Sequence, residues 1–148
     1  MKNIIYGIFS DKHRVIKIGV TSRIDLRANN DVEKYYEYMH MELPDSDHFE
    51  DFGTIYPVTL TKRIAPTVRN FFKKWRKIIE LNHGEKLDIN HSRKAFWFKW
   101  NRINYVRIPD EERSFLECPS GEMSEYEFIK KALGIWLYQL QWNIEQGE

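Results

Sequence analysis

Only one cysteine, Cys118, stands among the 148 residues. A single thiol forbids an internal disulfide and suits a reducing compartment, so a cytoplasmic protein is expected. Cys118 sits in LECPSG, beside a turn signal and with no histidine next to it. Thiolate activation needs an electropositive setting, so Cys118 reads as structurally incidental. Long apolar runs are missing as well. No stretch of about 18 uncharged apolar residues occurs, and no membrane-spanning helix is expected. The short apolar run in MKNIIYGIFSDKH is followed by no small-residue cleavage site, so no secretory leader is expected either.

Net charge is also nearly absent, at +1, but the near-zero sum hides segregation. Residues 1–27 carry six Lys/Arg against two Asp/Glu, and residues 28–58 carry one against eight. Residues 59–107 carry 13 against three, and residues 108–148 carry three against nine. A basic block of this kind is the footprint expected where a polyanion docks, because each neutralised phosphate releases condensed counterions. The competing explanation is that acidic and basic blocks pair with each other inside the fold.

What the chain does have is material for a core: 42% hydrophobic and 15% aromatic residues, in a length that suits one domain. NIIYGIF and VIKIGV are β-branched and aromatic, and SDKHR between them supplies turn chemistry, so residues 3–20 read as a β-hairpin. Val32, Tyr35, Tyr36 and Met39 recover helical spacing within 24–42, with Asn30 or Asp31 as a cap or break, and LPDSD ends the segment. Residues 53–62 read as a strand, placed at an edge or made irregular by Pro57. In APTVRNFFKKWRKIIEL the residues Val68, Phe71, Phe72, Trp75, Ile78 and Ile79 form one apolar helical stripe. Arg69, Lys73, Arg76, Lys77 and Glu80 occupy the opposite face, and Gly84 is the expected C′ residue. The stretch 95–107 alternates aromatic and cationic residues. That pattern serves a nucleic-acid surface, and equally a strand with Phe96, Phe98 and Trp100 on one face and Trp97 and Lys99 on the other. Ser124 and Glu127 form a capping box for a long C-terminal helix whose apolar residues cover over half its circumference.

Ile4-Ile5-Tyr6, the hairpin, Lys17-Ile18-Gly19 and an arginine eight residues further on, Arg27, together resemble the GIY-YIG nuclease superfamily. Ile4 replaces the first glycine and Lys17 the second tyrosine, as in a phage-associated branch that reads KIG. The resemblance implies a DNA endonuclease in which Tyr6 acts as or assists the general base, Arg27 holds the scissile phosphate through its planar fork, and Lys17 orients water or phosphate. It also implies one divalent metal, Mg²⁺ or Mn²⁺, on a glutamate of a later helix. That column falls near Arg69, which cannot ligate a cation. Glu80 is therefore the metal-ligand candidate, against an ordinary i,i+4 pair with Arg76.

These readings give an α+β fold: a small, mainly antiparallel sheet flanked by the 24–42 and 65–81 helices, with a strand near 95–107 and a long C-terminal helix. Residues 1–107 form the GIY-YIG-like domain. The acidic loop and helix of 108–148 pack on it or form a homodimer contact. Arg69, Lys73, Arg76 and Lys77 are the nucleic-acid contacts, with DNA favoured over RNA and no membrane partner. Three functions remain open: the endonuclease, a catalytically inactive relative that binds nucleic acid or protein, and an interaction protein in which Tyr6 packs and Arg27 pairs with a carboxylate of 31–37.

Overall fold

The structure, a computed structural model, describes residues 3–44, 51–60, 65–89 and 95–146. Parts of the LPDSD and 84–93 loops, and the side chain of Val68, lie outside the described residues. The chain opens with the expected hairpin. Strands β1 (Asn3–Ser10) and β2 (Val15–Thr21) pair antiparallel, from Ile4 opposite Thr21 to Ser10 opposite Val15. Arg14 turns the chain at φ 50°, and the Ser10 hydroxyl accepts the His13 N–H at 3.1 Å.

Three further strands extend this hairpin into a five-stranded antiparallel sheet. Strand β3 (Gly53–Leu60) lies outside β1, β5 (Ala95–Lys99) lies beside β2, and β4 (Glu85–Leu87) forms the far edge. Pro57 is exposed on the edge strand, where the β1–β3 register slips between Ile5 and Gly7. A residue with no N–H to donate is tolerated at such a place.

Strand alternation then divides the core. Ile5, Ile16, Ile18 and Phe98 face helices α2 (Ala65–Leu81) and α3 (Glu125–Glu145). Tyr6, Ile8, Val15 and Trp97 face helix α1 (Ile24–Tyr38). The protein is thus α+β, with one helix on one side of the sheet and two on the other. The α2 stripe is core as expected, with Phe71, Phe72, Trp75 and Ile79 buried. Each such side chain contributes about 1.5–3 kcal/mol on burial.

Several local expectations are corrected. Helix α1 runs unbroken through Asn30 and Asp31 because Asp31 finds partners in the sheet rather than in its own backbone. Helix α2 closes on His83 at φ 64°, with Gly84 one residue later donating its N–H to the Ile79 carbonyl at 3.0 Å. Gly84 is needed for closeness, since a Cβ there would stand 2.4 Å from Ile79 Cγ2. The single strand near 95–107 is two: β5 ends at Lys99, and β6 (Tyr105–Arg107) pairs instead with β7 (Glu122–Ser124) in a separate small sheet.

The Ser124 hydroxyl caps α3 by accepting the Glu127 N–H at 3.1 Å. The wide apolar surface of α3 serves two clusters. Ile129, Leu133, Leu137 and Leu140 join the main core, while Phe128 and Ile135 pack toward Ile108, Leu116, Cys118 and Met123. Among the described residues no helix is long and apolar enough to cross a membrane.

Candidate functional site

The hairpin register places Tyr6 opposite Gly19 and sets Lys17 one step away on the same face of the sheet, between Ile8 and Trp97. Because Gly19 has no side chain, the Tyr6 ring lies across it. A Cβ there would come within 3.0 Å of the Tyr6 hydroxyl oxygen. Lys17 Nζ then reaches that oxygen at 2.7 Å. From above, α1 lowers Asp31 onto the pair: the Tyr6 hydroxyl donates to Asp31 Oδ2 at 2.5 Å, and Lys17 forms an ion pair with the same carboxylate. All three are buried, Tyr6 and Lys17 1% exposed and Asp31 0%. Lys17 also stands over the Tyr6 and Trp97 rings, 5.1 and 5.8 Å from their centroids.

Burial chiefly, and then the hydrogen bond to Asp31, pushes the Tyr6 phenol far above its ordinary pKa. Burial also pulls the Lys17 ammonium down to about 8, against the opposing pull of Asp31. A phenol whose proton is held this firmly is a poor general base. Its oxygen is moreover engaged both as donor and as acceptor.

Arg27 lies exposed on α1 one turn before Asp31, and its charge is felt at both Tyr6 and Lys17. Tyr6, Lys17 and Arg27 therefore converge on one side of the sheet. Arg69, Lys73, Arg76, Lys77 and Glu80 lie on the exposed face of α2, on the other side. Glu80, the metal-ligand candidate, does not stand beside Tyr6: the sheet intervenes, and Glu80 accepts from Arg76 Nε at 3.2 Å. The donor set does not suit Mg²⁺ or Mn²⁺ at Tyr6 either. The one carboxylate there is already taken by an ammonium, and no group of three potential metal ligands occurs among the described residues.

Asp31 is the participant that the sequence reading took for a helix cap or break, or for one of the carboxylates open to Arg27. A signal for it was present, because Asp31 lies one turn before Tyr35 on the buried stripe of α1, where a carboxylate needs a partner. Arg27 does not pair with it; Lys17 and Tyr6 do.

Among the described residues the first basic block pairs with the acidic block that follows it, through Lys17–Asp31 and Lys12–Asp51; the 59–107 block behaves differently. Among the described Lys and Arg of residues 59–107, only Arg76 is ion-paired, and its partner is on its own helix. Comparison of the chain with protein-family models, with curated proteins and with solved structures finds no match.

Proposed function

We propose that this chain is a nucleic-acid-binding protein on a GIY-YIG-like scaffold, gripping the phosphate backbone with the outward face of α2. One observation carries the reading: Arg69, Lys73, Arg76 and Lys77 are all exposed on a helix whose inner stripe is core, and only Arg76 has a carboxylate partner among the described residues. Rows at i, i+4 and i+8 set Arg69, Lys73 and Lys77 along one line, about 6 Å apart at 1.5 Å of rise per residue. Cations in such a line can track a strand, and each phosphate they neutralise releases counterions.

The test is binding of a labelled DNA oligonucleotide between about 50 and 200 mM salt, where affinity should fall steeply. Lys73→Glu together with Lys77→Glu should weaken binding about tenfold or more and flatten the logarithmic salt slope by roughly two, with the fold intact. Salt-independent or absent binding would defeat the proposal.

A second reading, phosphodiester cleavage, is favoured by the convergence of Tyr6, Lys17 and Arg27 on one side of the sheet. Incubating plasmid and single-stranded DNA with Mg²⁺ or Mn²⁺ separates the two. Cleavage that disappears in Arg27→Ala would make the protein a nuclease; binding without cutting leaves it a recognition module.

A further inference from the structure

The stretch that alternates aromatic and cationic residues contributes three rings to the interior: Trp97, Phe98 and Trp100 are buried. Phe96 differs. It lies at the start of β5, half-buried, with its ring 5.7 Å from Phe72 of α2 and 6.4 Å from Phe98. Two cations attend it, the Arg76 guanidinium at 5.4 Å and the Lys86 ammonium at 5.6 Å from the ring centroid.

The register explains why Lys86 is there. In the β4–β5 ladder Lys86 stands opposite Phe98, so it projects to the α2 side, whereas Glu85 and Leu87 stand opposite Lys99 and Trp97 and project to the α1 side. Alternation thus puts the cation on the basic face and the acid on the other. Arg69, Lys73, Arg76 and Lys77 of α2 and Lys86 of β4 are thus all exposed on this side of the sheet, Arg76 and Lys86 at the half-buried ring, and the α2 carboxylate among them, Glu80, is held by Arg76.

From this juxtaposition we infer that the α2–β4–β5 face takes single-stranded nucleic acid, DNA or RNA, with Phe96 as a platform for one base. The inference rests on the binding proposed above and specifies its substrate class. A paired duplex keeps its bases stacked inside, so it could use the cations but not the ring. A single strand can use both, because every base has a face to lay on an aromatic. Exposed cation–π contacts of this kind are weak, and Arg76 and Lys86 are both exposed. They can swing to flanking phosphates as a base arrives, and the Arg76 guanidinium offers a second plane for a neighbouring base.

The experiment compares labelled oligo-dT and oligo-rU with a DNA hairpin duplex of equal phosphate count, on the full chain and on three variants. Single strands should bind the wild type more tightly than the duplex. Phe96→Leu keeps an apolar side chain against Phe72 and removes the aromatic face; it should lower single-strand affinity about fivefold or more and leave duplex affinity unchanged. Phe96→Trp should retain or raise single-strand affinity. Lys86→Ala, at an exposed position, should flatten the salt slope by about one. Unfolding midpoints establish that each variant is folded, and if Phe96→Leu is not, the Trp and Lys86 variants decide. Equal binding of strand and duplex, or single-strand affinity unmoved by any change at Phe96, overturns the inference and leaves backbone binding standing. Absence of salt-sensitive binding to either ligand overturns both.

Discussion

Replacing Asp31 by Asn removes one charge from the Tyr6–Lys17–Asp31 cluster while keeping its shape. It leaves the Lys17 ammonium 1% exposed with no counter-ion. At a contact of about 3 Å and an effective dielectric near 20, the lost attraction is roughly 5 kcal/mol. Tyr6 can still donate to the asparagine oxygen, and part of the Lys17 charge relaxes by deprotonation, since burial already pulls that amine down to about 8. A net cost of about 3–4 kcal/mol follows, within the range for breaking a buried pair. For a chain of this size that lowers Tm by roughly 10 °C. Lys17→Met should cost nearly as much by stranding the carboxylate. The double variant should recover most of the loss, because a neutral methionine and asparagine leave no buried charge, giving a coupling of about 2 kcal/mol or more. Urea unfolding of the four proteins measures the cycle. Single costs under about 1 kcal/mol that simply add would refute the claim that these groups form one buried ionic unit.

Two further outcomes follow from neighbouring geometry. Gly19→Ala sets a methyl 3.0 Å from the Tyr6 hydroxyl and 3.1 Å from its ring. The ring must tilt away from Asp31 and Lys17, and unfolding in urea should show a loss of about 1–3 kcal/mol; a neutral effect would mean that the ring has room to move. His13 is stacked on Phe52 and set edge-on to Tyr35 and Tyr36. Burial first, then Lys99, and more weakly Lys12, hold its pKa below the ordinary value, against the pull of Asp51. The unfolded chain therefore takes up the proton first: stability is full above about pH 6.5 and falls as pH drops below it. His13→Phe should remove that part of the pH slope, and an unchanged slope would assign it to other groups.

The sequence was legible where one local rule decided each element. The β-branched run of VIKIGV beside its turn residues, the stripe in α2 and the Ser124 N-cap each specify structure without reference to the rest of the chain, and each is observed. It was misleading where a distant partner decided. Asp31 has the composition of a cap or break, yet the helix continues because Lys17 and Tyr6, on two strands, engage its Oδ2, while its Oδ1 stays buried without a hydrogen-bond partner. His83 takes the left-handed position in place of Gly84 because Gly84 is needed one residue later, against Ile79 and Trp100. The strand near 95–107 divides because β6 meets β7, residues that periodicity alone cannot connect. The site shows the same limit. Tyr6, Lys17 and Arg27 were grouped through the GIY-YIG resemblance of the hairpin and the helix after it, and they lie on one side of the sheet. The separation of Glu80 from them depends on which side of the sheet α2 packs, and that is settled by tertiary structure.

That separation has an energetic consequence for function. The cluster under α1 is dry, its phenol fully engaged, and its ammonium neutralised by a carboxylate from the same chain. Its contribution is to join β1, β2 and α1, so a change there acts first on folding free energy. The field on α2 is wet and almost unpaired, and its cations contribute little to stability, as exposed charges generally do. Sites this far apart, sharing no partner, act additively. The proposed nucleic-acid binding should therefore be separable from stability, with binding changed by substitutions on the α2 side of the sheet and folding free energy by substitutions on the α1 side.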